Sequence, residues 1–590
     1  MATADKQGKV KAALRRRKAM QSKKQQWTPH WQLLGEYVHS RKQDFNSTQQ
    51  EGDMLNKDLF DATAGKANAV MSSSLIGMLW PNGAKSIRLT PPRGVRETRE
   101  VKIYYERVTE TLTDAMDDPK AGLATALDEY MKDQGCFGTS GVEVTEDDKL
   151  PLVYRAWSVK EMSIDQGKNG FVDTVYIEQE WTVRMLVATY GIDKVSEQTR
   201  KSYQDGNQDD KVSLLIAIEP RIDVGGAPEE GNLAMAFQSL HIELGANILL
   251  RESGFDDLPI KVGRFWKLAK ETYGRSPGME ALPDVLEINS MWEAVTIAVE
   301  KMLDPPLGVL DDGRLGGGTI DTSAGAINVF NITGRAGERQ PVFPLFTVGE
   351  LQHVGKLIEQ LTESIMNHFF MDRLLDLNNE KEMTAYETSI RNRLRGSTLN
   401  TLFSRQTAEL FAPLVESSFN RMFSRGKLGV IRGSAEEKML ILDGEKDIIY
   451  IPDEIAQLMV AGKDVYKIQF ITPAARIMEA EEQQGMIETA NFVSELAINI
   501  PDVVDNFDTD MIVKRFSRNS GAPSTGLRDD ESRDQIRAKR AEAVQAAQEM
   551  QMVTAGAKAA KDAAGAGLIM VPGENAGGKV GGKQKEKIAA

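Results

Sequence analysis

Five histidines, one cysteine, one Gly-Lys dipeptide and many carboxylates are the residues of this chain equipped for chemistry. Ala64-Gly65-Lys66-Ala67 hints at a phosphate loop. Such a loop needs glycine at position 60 for its turn and Ser or Thr at position 67 for Mg²⁺. Phe60 and Ala67 stand there instead, so no ATP hydrolysis is expected. The histidines, at 30, 39, 241, 353 and 368, have no metal-binding spacing, and a lone cysteine excludes a zinc knuckle. His353 and His368 share one expected helix but lie 15 residues apart, which reads as packing or surface. No Gly-x-Ser-x-Gly nucleophile elbow occurs. Acid pairs such as Asp147-Asp148, Asp256-Asp257 and Asp311-Asp312 read as solvated loops in so acidic a chain. The sequence therefore assigns no catalytic residue, no metal ligand and no cofactor.

At 590 residues, two to four folded units are expected, and 41% hydrophobic residues are enough to build their cores. Cys136 can form no disulfide within the chain, which fits synthesis in a reducing cytoplasm; it reads as a small buried apolar residue. No apolar run approaches the ~18 residues of a membrane span. The N-terminus is basic without an apolar core, so it does not read as a secretory signal. The formal net charge of −14 is unevenly spread. Residues 1–24 hold nine Lys/Arg against one Asp, and 553–590 hold six Lys against three acids. The remainder holds 57 basic and 82 acidic residues, a net of −25. Such a body does not hold nucleic acid by neutralising phosphates. For a monomer this is ordinary solubility.

The segment 1–26 reads as a frayed helix or a basic arm, with the folded body starting at Trp27, Trp31, Leu34 and Val38. Asp58 to Trp80 reads as a helix with a face of small residues. A strand at Ser86 to Thr90, helices over 100–134, and strands at Val142–Val144, Leu152–Trp157 and Thr174–Glu180 follow. Thr182 starts a short helix that Gly191 ends. Pro283 to Leu303 reads as about 30 Å of helix, stopped by Pro305-Pro306. Met291, Val295, Ala298 and Met302 mark one face; Trp292, Val299 and Leu303 mark a flank. The Gly-rich insert from Leu307 to Phe346 reads as a small β module. Gly349 to Leu375 reads as about 40 Å of helix. Its stripe, Leu351, Val354, Leu357, Ile358, Leu361, Ile365 and Phe369, is either core or a seam between subunits. The seam is favoured, because two helices alone cannot bury wide stripes. The polar run DLNNEKEM (376–383) breaks the stripe. Thr384-Ala385-Tyr386-Glu387 is a capping box for a helix reaching Arg425, with Gly426 left-handed after it and a kink at Pro413. Residues 427–472 read as strand-like pieces, 474–552 as polar helices, and the Ala/Gly/Lys tail as disordered.

Several segments resemble, in order, the portal proteins, or head-to-tail connectors, of short-tailed bacteriophages. They are LFDATAGKANAVMSSSLIGMLWPNGAKSIRLTPP from Leu59, GFVDTVYIEQEWTVRMLVATYG from Gly170, RFWKLAKETYGRSPGMEALPDVLEINSMWEAVTIAVEKMLDPPLGVLDDG from Arg264, and EMTAYETSIRNRLRGSTLNTLFSRQTAELFAPLVESSFNRMFSRG from Glu382. Together they cover most of 27–550. The resemblance implies an α+β portal-protein fold assembled as a ring, usually of twelve copies, at one capsid vertex. After the basic arm 1–26, it implies a wing over 27–282 and 385–472 and stem helices at 283–304 and 347–376. A clip at 305–346, a tunnel loop at 377–384 and a crown at 473–552 would complete it, before the tail 553–590.

The implied function is a channel for packaging and ejecting double-stranded DNA, without bond-making. The clip would dock the terminase large subunit and then the tail adaptor, and the wing would meet the major capsid protein and scaffold. Duplex DNA would pass without sequence specificity along an acidic wall that repels it. No membrane partner is implied. Asn378, Asn379 and Lys381 are the candidates for facing DNA, being polar and at the helix break. Arg314, Phe330, Arg335, Arg339 and Phe343 are the clip candidates, since exposed Arg and aromatic residues anchor interfaces. Without the resemblance, 376–383 would read as a plain solvent loop. The competing reading is a non-viral acidic scaffold of helices that handles no DNA; a carboxylate hydrolase comes third.

Overall fold

Ionic and apolar contacts made far apart in sequence decide where the first helix lies. The computed structural model describes residues 2–39, 45, 52–81, 83, 85–96, 98–147, 150–221, 231–311, 320–331, 342–345, 352–374, 399–434, 448–497, 508, 510–513, 528 and 530–565. In chain order these begin with helices α1 (Ala2–Gln25), α2 (Thr28–Tyr37) and α3 (Thr63–Leu79), strand β1 (Ile87–Thr90), and helices α4 (Arg99–Asp117) and α5 (Leu123–Phe137). Strands β2 (Thr139–Thr145), β3 (Val153–Ser158), β4 (Met162–Gln166) and β5 (Val172–Thr182) follow, then helices α6 (Val183–Tyr190) and α7 (Glu197–Gln204). Next come β6 (Lys211–Pro220), β7 (Phe237–Glu243), β8 (Ile248–Phe255), β9 (Ile260–Arg264) and the long helix α8 (Pro277–Leu303). Strands β10 (Leu307–Asp311), β11 (Ile327–Asn331) and β12 (Val342–Pro344) lead to helices α9 (Gln352–His368) and α10 (Met371–Leu374). The last elements are helices α11 (Ala412–Ser424) and α12 (Asp453–Val460), strand β13 (Lys467–Phe470), and helices α13 (Pro473–Ala497) and α14 (Asp530–Gly565).

The chain divides into two units, residues 1–96 with 100–524, and residues 97–99 with 525–590. The first is mixed α+β. Its five-stranded sheet is antiparallel throughout, in order β4-β5-β6-β7-β8. Alternation along the strands gives the sheet two apolar faces. Tyr176, Leu215, Ala217, Leu240 and Ile242 meet α1, through Val10, Ala13 and Met20. Leu214 and Leu250 on the other face meet α6 and the turn after it, through Leu186, Tyr190 and Val195. A three-stranded antiparallel sheet, β3-β2-β9, shares the main core with α2, α3, α5 and the first part of α8. Strands β1 and β13 pair antiparallel. The second unit contributes helix α14, polar in its first turns and Ala-rich after them.

Segment 1–26 is therefore no free arm. Its helix lies on the sheet, and the body begins by Val10 rather than at Trp27. Ion pairs hold it there: Arg17 forks onto Glu178 at 2.9 and 2.6 Å, Lys9 meets Glu252 at 2.7 Å, Lys23 meets Asp165 at 3.2 Å, and Arg16 meets Glu219. Lys24 Nζ donates to the carbonyls of Lys160 and Met162; burial pushes its pKa down to about 8 against the pull of Glu178.

Other elements depart from expectation for local reasons. α3 starts at Thr63, where Asp61 accepts from both the amide and the hydroxyl of Thr63. β4 was not expected; it forms a hairpin with β5 across Gly170, whose φ is 78°. α8 starts at Pro277, not Pro283: Ser276 Oγ accepts from the Met279 amide at 3.1 Å, and Pro277 fills the N-terminal turn. The helix expected over 349–375 breaks at Phe370, which has φ 60°, so α9 and the short α10 replace it. Pro413 is accommodated by a π-helical turn, Thr407–Phe411, just before α11; the Ala412 amide bonds back to Thr407 O. α11 ends as expected, with Gly426 at φ 69°. Residues 427–472 hold a helix, α12, as well as β13. α14 runs into the low-complexity tail as far as Gly565. The capping box at 384–387 and the helix start after it lie outside the described residues.

Candidate functional site

α8 and α9 run antiparallel. Asp284, near the start of α8, accepts from Ser364 at 2.6 Å and lies 3.7 Å from His368, near the end of α9. The base of α8 is built into the core. Ser276 Oγ donates to Cys136 O at 2.6 Å, and a side chain at Gly278 would meet the Gly135 carbonyl at 3.0 Å. Asn289 Oδ1 accepts the amides of Phe60 and Asp61, while its Nδ2 donates to Asp58 O, so one side chain ties the 58–61 loop to the helix.

Behind this base sits an arginine-centred knot. Arg264 is 1% exposed and forks onto Glu409, with Nη2 to Oε1 at 2.8 Å and Nε to Oε2 at 3.3 Å. The Arg264 amide also donates to Oε2, and Nη2 donates to Gly170 O. Glu409 belongs to the π-helical turn, so the knot joins that turn to β9 and the β4–β5 hairpin.

Burial fades toward the far ends of the paired helices. Up to Asn289, α8 is largely buried; beyond it Met291, Val295 and Ala298 are half-buried. Trp292, Val299 and Leu303 recur on one stripe and are exposed, Leu303 at 83%. On α9, Ile365 is buried, as is Phe369 just past its end; Val354, Ile358 and Leu361 are half-buried and Leu357 is exposed. Over its described residues the expected stripe is thus core at one end and half-buried to exposed at the other.

Between the helices stands a three-stranded sheet, order β11-β10-β12, with β10 parallel to β11 and antiparallel to β12. Backbone bonds tie it up just past the end of α8: Gly325 N donates to the α8 cap Asp304 O, Leu345 N to Pro306 O, and Leu307 N to Ala326 O. Phe330 and Phe343 lie on one face, stacked at 6.2 Å and 29°. They flank Gly308, where an added Cβ would lie 2.7 Å from the Phe343 ring and 3.2 Å from that of Phe330. Asn328 closes the approach to β11 by exchanging hydrogen bonds with the Asp321 backbone. Ile327 and Val342, on the opposite face, are exposed. Of the candidate residues, the structure thus brings Phe330 and Phe343 together. Arg314, Arg335, Arg339, Asn378, Asn379 and Lys381 lie outside the described residues. The Gly308 slot and the Asn289 and Arg264 anchors escaped the sequence reading, because each is defined by partners distant in the chain.

An open polar groove on α9 is lined by Gln360, Glu363, Ser364, Asn367 and His368. Among the described residues no cluster of three His, Cys, Asp or Glu could hold a metal, and no helix is long and apolar enough to cross a membrane.

An α+β body from which two antiparallel helices carry a small sheet is the architecture of an assembly part. The family described as bacteriophage head to tail connecting protein matches residues 10–527, and the chain belongs to that family. It is a portal-type head-to-tail connector of the phage virion, a structural protein rather than an enzyme. It is 25% identical over 547 residues to a probable portal protein of Bordetella phage BPP-1, covering 92% of this chain and 93% of that one. It is 24% identical over 542 residues to a portal protein of Salmonella phage epsilon15, covering 90% and 91%. A chain in the virion of a native gene transfer agent particle aligns with 68% of this one and 92% of its own length, at 12% identity and a TM-score of 0.30. That structural likeness is too slight to argue from.

Proposed function

We propose that copies of this chain close into a ring, of twelve members, around a channel for double-stranded DNA at one vertex of a short-tailed phage capsid. The observation that carries this is the bare stripe of Trp292, Val299 and Leu303 on α8 with Leu357 on α9. An apolar stripe on helices whose buried part is confined to one end asks for a partner. In a ring the partner is the same stem in the next copy. Charge supports the channel: α8 carries Glu280, Asp284, Glu287, Glu293 and Glu300 against Lys301 alone, and such a wall lets duplex DNA slide without sticking.

In this reading 27–282 and 385–472 are the wing, meeting capsid protein and scaffold; 283–304 and 347–376 are the stem. The sheet at 305–346 is the clip, with Arg314, Phe330, Arg335, Arg339 and Phe343 toward the terminase large subunit and later the tail adaptor. Residues 377–384 form the tunnel loop, where Asn378, Asn379 and Lys381 face DNA, and 473–552 form the crown. The motor does the work; this protein supplies pore, docking ring and valve. Replacing 377–382 with Gly/Ser tests the assignment of the loop. Rings should remain intact while genome packaging or retention falls; a normal phage yield from that variant would remove the tunnel-loop role.

A further inference from the structure

Helix α1 uses its inner face to dock, which leaves an outer face to explain. Lys9, Arg16, Arg17, Lys23 and Lys24 are taken up by the sheet and its edge. Lys11, Arg15 and Lys18 are exposed and have no acidic partner among the described residues. Their spacing, i, i+4 and i+7, puts them in one row on a helix, spanning about 10 Å. Because α1 is fixed to the sheet, this row is a rigid basic ridge.

The same spacing recurs with opposite sign on α4. Glu110, Asp114 and Asp117 are exposed at i, i+4 and i+7. Among the described residues, only Glu110 of the three has a cation, Lys85 at 2.7 Å, in a pair exposed on both sides and so weak. Asp117 accepts from Trp80 Nε1 at 3.0 Å. Burial raises the Asp117 pKa, the Trp80 hydrogen bond opposes this, and the charge of Asp114 adds to the rise. Among the described residues, neither Asp114 nor Asp117 forms an ion pair.

We propose that the basic ridge of α1 in one copy pairs with the acidic row of α4 in the next, as a head-to-tail contact repeated around the ring. The inference rests on the ring reading above. A heterologous contact of this kind, with different surfaces on its two sides, is what a cyclic assembly requires. The rows match in length, spacing and opposite charge. The net charge of −25 over residues 25–552 disfavours a nucleic acid as the occupant, since the body would repel it.

Charge reversal of both rows tests this on the full chain, read by mass photometry and negative-stain microscopy, with thermal melts as the check on folding. One variant is K11E/R15E/K18E. The other is E110K/D114K, which spares Asp117 because of its bond to Trp80. Each alone should weaken ring assembly about tenfold or more, the sum of several exposed pairs, and the two sets in one chain should restore it. If a variant fails to fold, R15E with D114R is the same test at one pair. Unchanged rings in either single set, or no restoration in well-folded combined variants, would overturn the pairing while leaving the ring standing. Normal rings with lost retention of a short DNA duplex in K11E/R15E/K18E would assign the ridge to nucleic acid and overturn it too. A wild-type chain that forms no ring would instead remove the ring reading itself, and this contact with it.

Discussion

At the scale of single residues, the stability of the body rests on a few buried polar groups whose partners come from distant parts of the chain. Arg264 is the clearest. It is almost fully buried, and Glu409 answers its charge through a fork. Glu409→Gln keeps the shape but leaves the guanidinium without a counter-charge. A loss of about 3–5 kcal/mol in unfolding free energy is expected, measured by denaturant titration. His241 gives a pH dependence. Burial first, and then Arg251, hold its pKa down at about 4. Neutral His241 pairs with Tyr190 OH at 2.6 Å. In the unfolded chain it titrates near 6.5, so the folded state takes up its proton later than the unfolded state does. Its contribution is complete above pH 6.5 and is lost as pH falls through 4, roughly 3 kcal/mol in all. Melts of wild type and His241→Gln between pH 7 and pH 4 check this: the wild type should lose more stability on acidification than the variant. None of these partners was legible from spacing, because Arg264 and Glu409 lie 145 positions apart and His241 and Tyr190 lie 51 apart.

At the scale of elements, what could be read were signals carried within a few residues. Thr182 and Gly191 bound α6 as expected, with Thr182 Oγ1 accepting from the Met185 amide and Gly191 at φ 87°. The Pro305-Pro306 stop and the left-handed Gly426 also fall where expected. The start of α8 was misplaced because two prolines competed for it, and the one with a serine cap won. β4 escaped notice because a five-residue strand of mixed polarity is defined by its pairing with β5. The docking of α1 was hidden by its composition. Val10, Ala13 and Met20 are too sparse to mark a face, and ion pairs to the sheet hold the helix in place. The three strands between α8 and α9 make a prediction at this scale. Just past the end of α8, the Gly325 amide donates to the carbonyl of its capping residue Asp304, whereas the base of α8 is anchored in the main core. Deleting 310–340 should leave the melting of the remaining body intact and abolish capture of the tail adaptor. An unchanged adaptor pull-down would remove the clip assignment.

For the whole molecule, the uneven charge and the bare stripe belong to one account. The N-terminal cations are not an extended arm reaching for DNA; five of them are spent in holding α1 to the sheet and its edge. The acidic residues dominate elsewhere, including along α8. The apolar surface left on Trp292, Val299, Leu303 and Leu357 makes sense if copies stand side by side. That claim is tested most directly by negative-stain electron microscopy of the purified chain, with two-dimensional class averages. The account predicts rings of about twelve subunits with an axial hole and a narrow stalk. A closed particle with no axial channel would contradict it and favour an assembly scaffold that handles no DNA.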